Sequence, residues 1–154
     1  MLGVGDTAPD FHLEDVNGRE KSLRDFISTK PALLALFKVS CPVCQWTFPF
    51  LERLSKSDNI EVVAISQDDL EATGEFRNEF GITFTTLLDE PGKGYPASNA
   101  FGIVSVPSLF LVEPGGEISL SGAGFSKREL EAVGRLAGVQ PFRPGENIPE
   151  FKAG

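Results

Sequence analysis

Apolar residues along this chain follow two different periods. Nearly unbroken apolar runs at PALLALFKV (31–39) and IEVVAIS (60–66), with shorter ones in TFTTLLDE and PSLFLVE, are typical of buried strands. Apolar residues recur at helical spacing over residues 42–54, and the segments DDLEATGEFRNEFG and SKRELEAVGRLAG are also predicted helices. Because strands and helices alternate, we expect an α/β fold whose open sheet is parallel at its centre and covered by helices on both faces.

Turn and capping residues mark where these elements begin and end. Asn17–Gly18 lies between two short strand-like segments and predicts an N-terminal hairpin. Ser126 and Glu129 form a capping-box pattern at the start of the last predicted helix. Residues 139–154 are rich in proline and glycine and are expected to form an extended tail. A length of 154 residues fits a single domain that spans residues 1–154.

The net charge and the first residues of the chain bear on its partners and its location. The chain has 14 Lys and Arg against 22 Asp and Glu, a net charge of -8, which disfavours nucleic acids and anionic membranes as partners. The first residues, MLGVGDTAPDF, lack the basic start and apolar run of a signal peptide, so a cytoplasmic protein is expected. An exported protein whose signal sequence is absent from the given sequence remains the alternative.

Both cysteines of the chain, Cys41 and Cys44, lie two residues apart in FKVSCPVCQWTF. Four interpretations of the pair are open: a redox couple, half of a metal site, a peroxide-reactive thiol with its helper, or two buried small hydrophobic residues. Zinc takes four ligands, and the single histidine, His12, is distant in sequence, so no metal is expected. The CxxC spacing favours a disulfide that forms and reopens.

The pair sits where a buried strand passes into a helix, which is where open α/β sheets place their sites. The free N–H groups and partial positive charge of a helix start favour a thiolate at Cys41. Pro42 suits the first helical turn because its missing N–H costs nothing there. Cys44, one turn further on, is expected to be more buried. We therefore predict that Cys41 is the nucleophile and Cys44 the resolving cysteine.

At these residues the sequence resembles the thioredoxin superfamily, and specifically its redoxin branch of TlpA-like and peroxiredoxin-like proteins. The resemblance covers most of the chain, from GDTAPDFHLEDVNG to about Gly138. It implies a thioredoxin-like fold with a central mixed sheet, the N-terminal hairpin and an inserted βα unit at EVVAISQDDLEATGEFRNEFGITFTTLLDE. VPSLFLVEPGGEI resembles the strand that carries the family's cis-proline. Pro107 would then be cis and face the cysteines, leaving the Val106 backbone free to pair with a substrate strand.

The peroxidase pattern of the same branch is incomplete here. In peroxiredoxins the attacking cysteine follows Thr-x-x-Cys, with an upstream proline and a later arginine. Cys41 itself occupies the threonine place, Phe37 the proline place and Pro107 the arginine place, and no arginine occurs between Arg77 and Arg128. The hydrogen-bond donors and cation that stabilise a breaking O–O bond are therefore missing.

The disulfide-exchange pattern also shows departures. Ala35 replaces the buried aspartate of thioredoxins, and Thr47 replaces the glutamate that many TlpA-like proteins carry after the second cysteine. The proton acceptor for Cys44 is thus not identified by the resemblance. Pro42 and Val43, between the cysteines, differ from the thioredoxin Gly-Pro pair and would tune the stability of the thiolate.

Two nearby residues have a functional and a structural interpretation. Lys38 either stabilises the Cys41 thiolate or is a solvated lysine at a strand end. Trp46 either faces the substrate or packs on the core beside Phe50.

These observations predict a thiol–disulfide oxidoreductase without a metal or organic cofactor. Its expected partners are a disulfide-containing protein or small thiol as substrate and a dithiol as electron donor. Nucleic acids and membranes are not expected partners. The alternatives are a peroxiredoxin-like thiol peroxidase and a non-catalytic module that holds Cu(I) between the two cysteines.

Overall fold

Five strands form the central sheet of the protein, which is described over residues 1–154 by a computed structural model. In chain order, the nine β-strands of the whole protein are β1 His12–Glu14, β2 Glu20–Ser22, β3 Ala32–Phe37, β4 Glu61–Ser66, β5 Thr86–Leu88, β6 Ser108–Val112, β7 Ile118–Ala123, β8 Phe125–Ser126 and β9 Phe151–Lys152. The α-helices are α1 Pro42–Leu54, α2 Leu70–Phe80, α3 Pro96–Phe101 and α4 Lys127–Ala137. No helix of the protein is both long enough and apolar enough to span a membrane.

The sheet has the order β5-β4-β3-β6-β7 and is mixed. Strands β3, β4 and β5 are parallel, whereas β6 and β7 are antiparallel to their neighbours. All six residues of β3 are buried because this strand lies at the centre of the sheet with helices or loops on both faces. The α/β fold and the mixed central sheet predicted from the sequence are confirmed.

Two apolar cores lie on opposite faces of the sheet, as the alternation of side chains along β3 requires. Leu33, Ala35 and Phe37 pack with helices α1, α2 and α4. Leu34 and Leu36 point to the other face, where helix α3 and the N-terminal segment cover the sheet. This arrangement fixes the end of β3 firmly, and the cysteine-bearing loop begins directly after that end.

The N-terminal hairpin predicted around Asn17–Gly18 is present as the antiparallel pair β1 and β2. Its turn needs a left-handed residue, which Gly18 supplies with φ of 79°. Asp15, at the start of this turn, forms a bridge to Leu87, so the hairpin reaches the β5 edge of the central sheet.

The tail, residues 139–154, lies along the domain. Phe142 packs on Phe50 and Phe125, with ring centroids 5.0 and 6.1 Å away. Further on, the tail forms strand β9, which pairs antiparallel with β8. The sequence predicted an extended segment here but did not indicate which surface it would contact.

Candidate active site

Helix α1 begins at the cysteine pair, with Cys41 as its N-cap residue. Cys41 has an extended backbone (φ -82°, ψ 116°), and its sulfur accepts a hydrogen bond of 3.1 Å from the Cys44 amide. Pro42 occupies the first helical position, where an N–H would have no partner inside the helix. The Cys41 sulfur therefore lies at the positive end of the helix, where an N–H donor stabilises a thiolate.

The loop between β3 and α1 is held at both main-chain groups of Val39. The Asp68 carboxylate accepts from the Val39 amide at 2.8 Å, and the Gln45 side-chain amide donates to the Val39 carbonyl at 3.0 Å. The Cys41 amide donates to the Lys38 carbonyl at 3.2 Å. These contacts fix the position of the Cys41 sulfur relative to the sheet.

Cys44 is fully buried, whereas Cys41 is only partly buried, and both are free thiols in this structure. Burial raises the pKa of the Cys44 thiol far above its ordinary value, and its hydrogen bond with Cys41 raises it further. A main-chain hydrogen bond from Lys38 opposes this shift in the pKa, and the charges of Cys41 and Asp68 add to it. Cys44 therefore keeps its proton in the reduced protein.

The Val106–Pro107 peptide bond is cis, the geometry that the resemblance implied. The Cys41 thiol lies 3.5 Å from the Val106 carbonyl oxygen and donates to it. The Pro107 carbonyl accepts a hydrogen bond of 2.8 Å from the Gly124 amide, which links this loop to the end of β7. The structure thus brings Val106 and Pro107 to the cysteine pair, while their role in substrate binding stays a prediction.

The residues predicted to assist the cysteines differ in their exposure and in their contacts. The Lys38 side chain is exposed and forms no ion pair, so this residue contacts the site through its main chain. Pro42 is exposed and Val43 partly buried at the start of α1. Trp46 is partly buried, and its ring packs edge-on against Phe50 and Phe125 at centroid distances of 5.4 and 6.0 Å.

The structure shows how Ala35 and Thr47 are placed, at the two positions where the resemblance implied an aspartate and a glutamate. Ala35 is fully buried in β3. Thr47 is also fully buried, and its hydroxyl donates to the Val43 carbonyl at 2.6 Å inside helix α1. Asp68 is the carboxylate whose charge acts on Cys44. Sequence reasoning missed Asp68, although it is the second residue after β4, and parallel neighbours β3 and β4 end at the same edge of the sheet.

The difference in burial between the two sulfurs predicts selective alkylation of the reduced protein. At neutral pH, iodoacetamide is expected to label Cys41 at least roughly a hundredfold faster than Cys44, because only an accessible thiolate reacts. Mass spectrometry of the peptides over time would measure the two rates. In denaturant both cysteines should label at similar rates, and similar rates in the folded protein would contradict the burial of Cys44.

Comparison with known proteins places the chain in a family. The model of the AhpC/TSA family matches residues 4–121, which include the hairpin, both cysteines and the Val106–Pro107 loop. The chain belongs to the AhpC/TSA family. The match ends within β7, so helix α4 and the tail of this AhpC/TSA protein lie beyond it.

Relatives of the chain are named thiol-disulfide oxidoreductase ResA. The thiol-disulfide oxidoreductase ResA of Geobacillus thermodenitrificans is 30% identical over 121 residues, 76% of this AhpC/TSA chain and 67% of the relative. The ResA of Geobacillus kaustophilus is 29% identical over 145 residues, 91% of the chain and 80% of the relative.

Among solved structures, the thioredoxin domain of a thiol-disulfide oxidoreductase from Bacteroides vulgatus has a TM-score of 0.79 at 22% identity, covering 89% of this chain and 99% of that one. The structure of MTB dsbF has a TM-score of 0.71 at 26% identity, covering 82% of this chain and 94% of that one. The thioredoxin-like fold expected for this AhpC/TSA protein is confirmed.

Proposed function

We propose that this protein is a thiol–disulfide oxidoreductase in which Cys41 attacks a substrate disulfide and Cys44 resolves the intermediate. The observation that carries the proposal is the unequal pair at the start of α1. The Cys41 sulfur is accessible and accepts an N–H bond, and Cys44 is fully buried one turn further on. The names of the ResA relatives support the same activity.

The proposed exchange transfers two electrons in two steps. The Cys41 thiolate attacks one sulfur of the substrate disulfide, forming a mixed disulfide and releasing the other substrate sulfur as a thiol. Cys44 then attacks the Cys41 sulfur, which forms the Cys41–Cys44 disulfide and releases the second substrate thiol. The substrate disulfide is reduced and the protein dithiol oxidised. A dithiol protein or a small thiol supplies the electrons for the next cycle.

The pKa of Cys44 links the two steps. Two of the causes that raise this pKa, the hydrogen bond with Cys41 and the charge of Cys41, depend on a thiolate at Cys41. Both disappear when Cys41 enters a mixed disulfide, so Cys44 loses its proton more easily at the stage at which it must attack. The charge of Asp68, which also raises this pKa, remains at that stage because its carboxylate is held by the Val39 amide.

Membership of the AhpC/TSA family makes peroxide reduction the second candidate function. The site offers little for it beyond the Cys44 amide, since the sequence has no arginine at the Pro107 position. Arg53 is paired with Glu146, and Arg77 donates to the Phe84 carbonyl. A developing negative charge on a peroxide oxygen would therefore have no guanidinium partner at Cys41. Peroxide consumption at a rate comparable to disulfide reduction would favour this candidate instead.

The reduction potential of the cysteine pair tests the proposal directly. Equilibration with graded thiol buffers, followed by alkylation and mass spectrometry, is expected to show a single two-electron transition between dithiol and Cys41–Cys44 disulfide. A potential near thioredoxin's, about -270 mV, would identify a reductant and support a cytoplasmic location. A potential well above it would identify an oxidant and support the exported alternative. Failure to form the disulfide would contradict the exchange mechanism and favour the Cu(I)-binding alternative.

A further inference from the structure

The last residues of the tail lie against the loop that accepts the Cys41 thiol. Gly154 packs so closely on Val106 that a Cβ at position 154 would overlap the Val106 carbonyl oxygen. That same oxygen accepts from the Cys41 sulfur at 3.5 Å. The chain thus brings its own extended segment to the carbonyl group that accepts from the Cys41 thiol.

Three further contacts place this segment along one strip of surface. Strand β9 pairs with β8, matching Phe125 to Lys152. The next residue before β8, Gly124, faces the tail so closely that a Cβ there would lie 2.5 Å from the Lys152 carbonyl oxygen. The Lys152 ammonium lies over the Trp46 ring, 5.4 Å from its centroid. We call the surface formed by Trp46, Val106 and Gly124 the docking strip.

We propose that the docking strip binds an extended segment of a protein substrate, and that residues 150–154 occupy it in the free enzyme as a displaceable strand. This inference rests on the proposed exchange at Cys41, because it concerns which disulfides reach that sulfur. A substrate strand would replace β9, pair with the same backbone edge and place a disulfide beside Cys41. A basic side chain on that strand would take the place of Lys152 over Trp46.

The way in which the tail is held fits a tethered, displaceable strand. Its first part is firmly anchored, because Arg53 binds both carboxylate oxygens of Glu146 at 2.8 and 2.7 Å and donates to the Pro141 carbonyl. Hydrogen bonds from Arg53, and then from the Arg143 amide, lower the pKa of Glu146 to about 2. The stability that this carboxylate contributes is therefore fully present above its ordinary pKa of 4.5 and is lost progressively as the pH falls from 4.5 through about 2.

The end of the tail is held much more lightly. Phe151 is 56% exposed, and β9 contains only two residues. The Lys127 amide donates to the Glu150 carbonyl at 3.0 Å, and the exposed ion pair between these residues measures 3.8 Å. Such an end can leave the strip while the anchor at Glu146 keeps it close, so it rebinds at an effective concentration in roughly the millimolar range.

The tail leaves open a cleft beside Val106, the residue whose carbonyl accepts from the Cys41 thiol. A cleft of about 200 Å³ lies on the Val106 loop, and none of its lining residues belongs to the tail. Its walls are Lys38, Gln67, Ile103, Val104, Ser105 and Val106. The tail is therefore expected to compete with extended protein segments much more than with small molecules.

Removal of residues 150–154 tests this competition. If the strand occupies the strip about nine-tenths of the time, its loss should lower the KM for a protein disulfide about tenfold and leave kcat unchanged. Insulin would serve as the protein disulfide and bis(2-hydroxyethyl) disulfide as the small one, each with dithiothreitol as reductant. The small disulfide should be reduced within about twofold of the full-length rate.

Two additional experiments extend the test, and the first keeps it valid if the shortened protein is unstable. Lys152→Gln, which loses the contact with Trp46, should lower the KM for insulin, whereas Lys30→Gln should not. Lys30 is a suitable control because it is also a lysine near the surface, and it lies just before the opposite end of β3, away from the docking strip. The peptide ENIPEFKAG, added at millimolar concentration to the shortened protein, should restore a high KM, and a scrambled peptide should not.

The outcomes separate the two proposals. Equal KM values for insulin in the full-length and shortened proteins would overturn the docking strip, and so would an equal gain on both disulfides. Full-length protein that reduced neither disulfide would instead contradict the proposed exchange at Cys41.

Discussion

Replacement of Cys41 by serine is expected to lower disulfide-exchange activity by roughly a thousandfold or more, because a serine hydroxyl is not ionised at neutral pH. The fold should be preserved, since serine is a good N-cap residue and can accept the Cys44 amide bond that the Cys41 sulfur accepts now. Reduction of bis(2-hydroxyethyl) disulfide by dithiothreitol would measure the loss. Unfolding by denaturant would show that stability is maintained.

The neighbouring residue Ser40 provides the control for this variant. It is exposed in the same loop, so Ser40→Ala should reduce disulfides at close to the normal rate. Disulfide reduction by Cys41→Ser at the normal rate would contradict the assignment of Cys41 as the nucleophile. Peroxide should be assayed on the same proteins, because faster peroxide than disulfide turnover in the unaltered protein would favour the peroxidase candidate.

The sequence was sufficient to predict the sheet and the position of the cysteine pair. Strand β3 is apolar at every position because it is buried on both faces, and such a run is recognisable without a structure. The pair follows that strand and precedes an amphipathic helix, which indicates a site at the end of a central strand. The burial of Cys44 follows from helical periodicity, because it lies on the same face of α1 as Phe48 and Leu51.

The groups that surround the pair could not be predicted in the same way. The Val39 amide is held by Asp68, 29 residues away in sequence, and no local pattern encodes such a contact. The tail was recognised as extended from its prolines and glycines, but its path depends on the bidentate pairing of Arg53 with Glu146. Both partners look like ordinary surface charges in the sequence. Nothing in the sequence indicated that Gly124 makes room for the tail backbone.

One physical reason explains why some features could be predicted from the sequence and others could not. Burial and periodicity are local properties of a segment, so a single segment reveals them. Hydrogen bonds across the fold depend on how elements are arranged, and many polar residues could form any one of them. The cysteine pair can therefore be recognised from a few adjacent residues, while the position of the tail depends on contacts between distant ones.

Replacement of Cys44 by serine is expected to stop exchange halfway and trap the substrate on Cys41. The mixed disulfide should persist at least roughly a hundredfold longer than in the unaltered protein, because no thiol remains to attack it from within. Mass spectrometry of the protein, incubated with a disulfide-containing peptide and then blocked with acid, would detect the adduct. The double variant Cys41→Ser and Cys44→Ser should form none.

A serine at position 44 places a hydroxyl in a fully buried site and is expected to lower stability by about 1–3 kcal/mol if that group is left unpaired. Cys44→Ala avoids the buried hydroxyl and should trap the same adduct, so agreement between the two variants separates chemistry from stability. The adduct must map to Cys41, which is the one cysteine left in either variant. If the single variant Cys41→Ser formed the adduct instead, through Cys44, the roles of the two cysteines would be reversed. If Cys44→Ala formed no adduct but still turned over at the normal rate, the exchange would need no resolving cysteine, and an external thiol would complete the reaction.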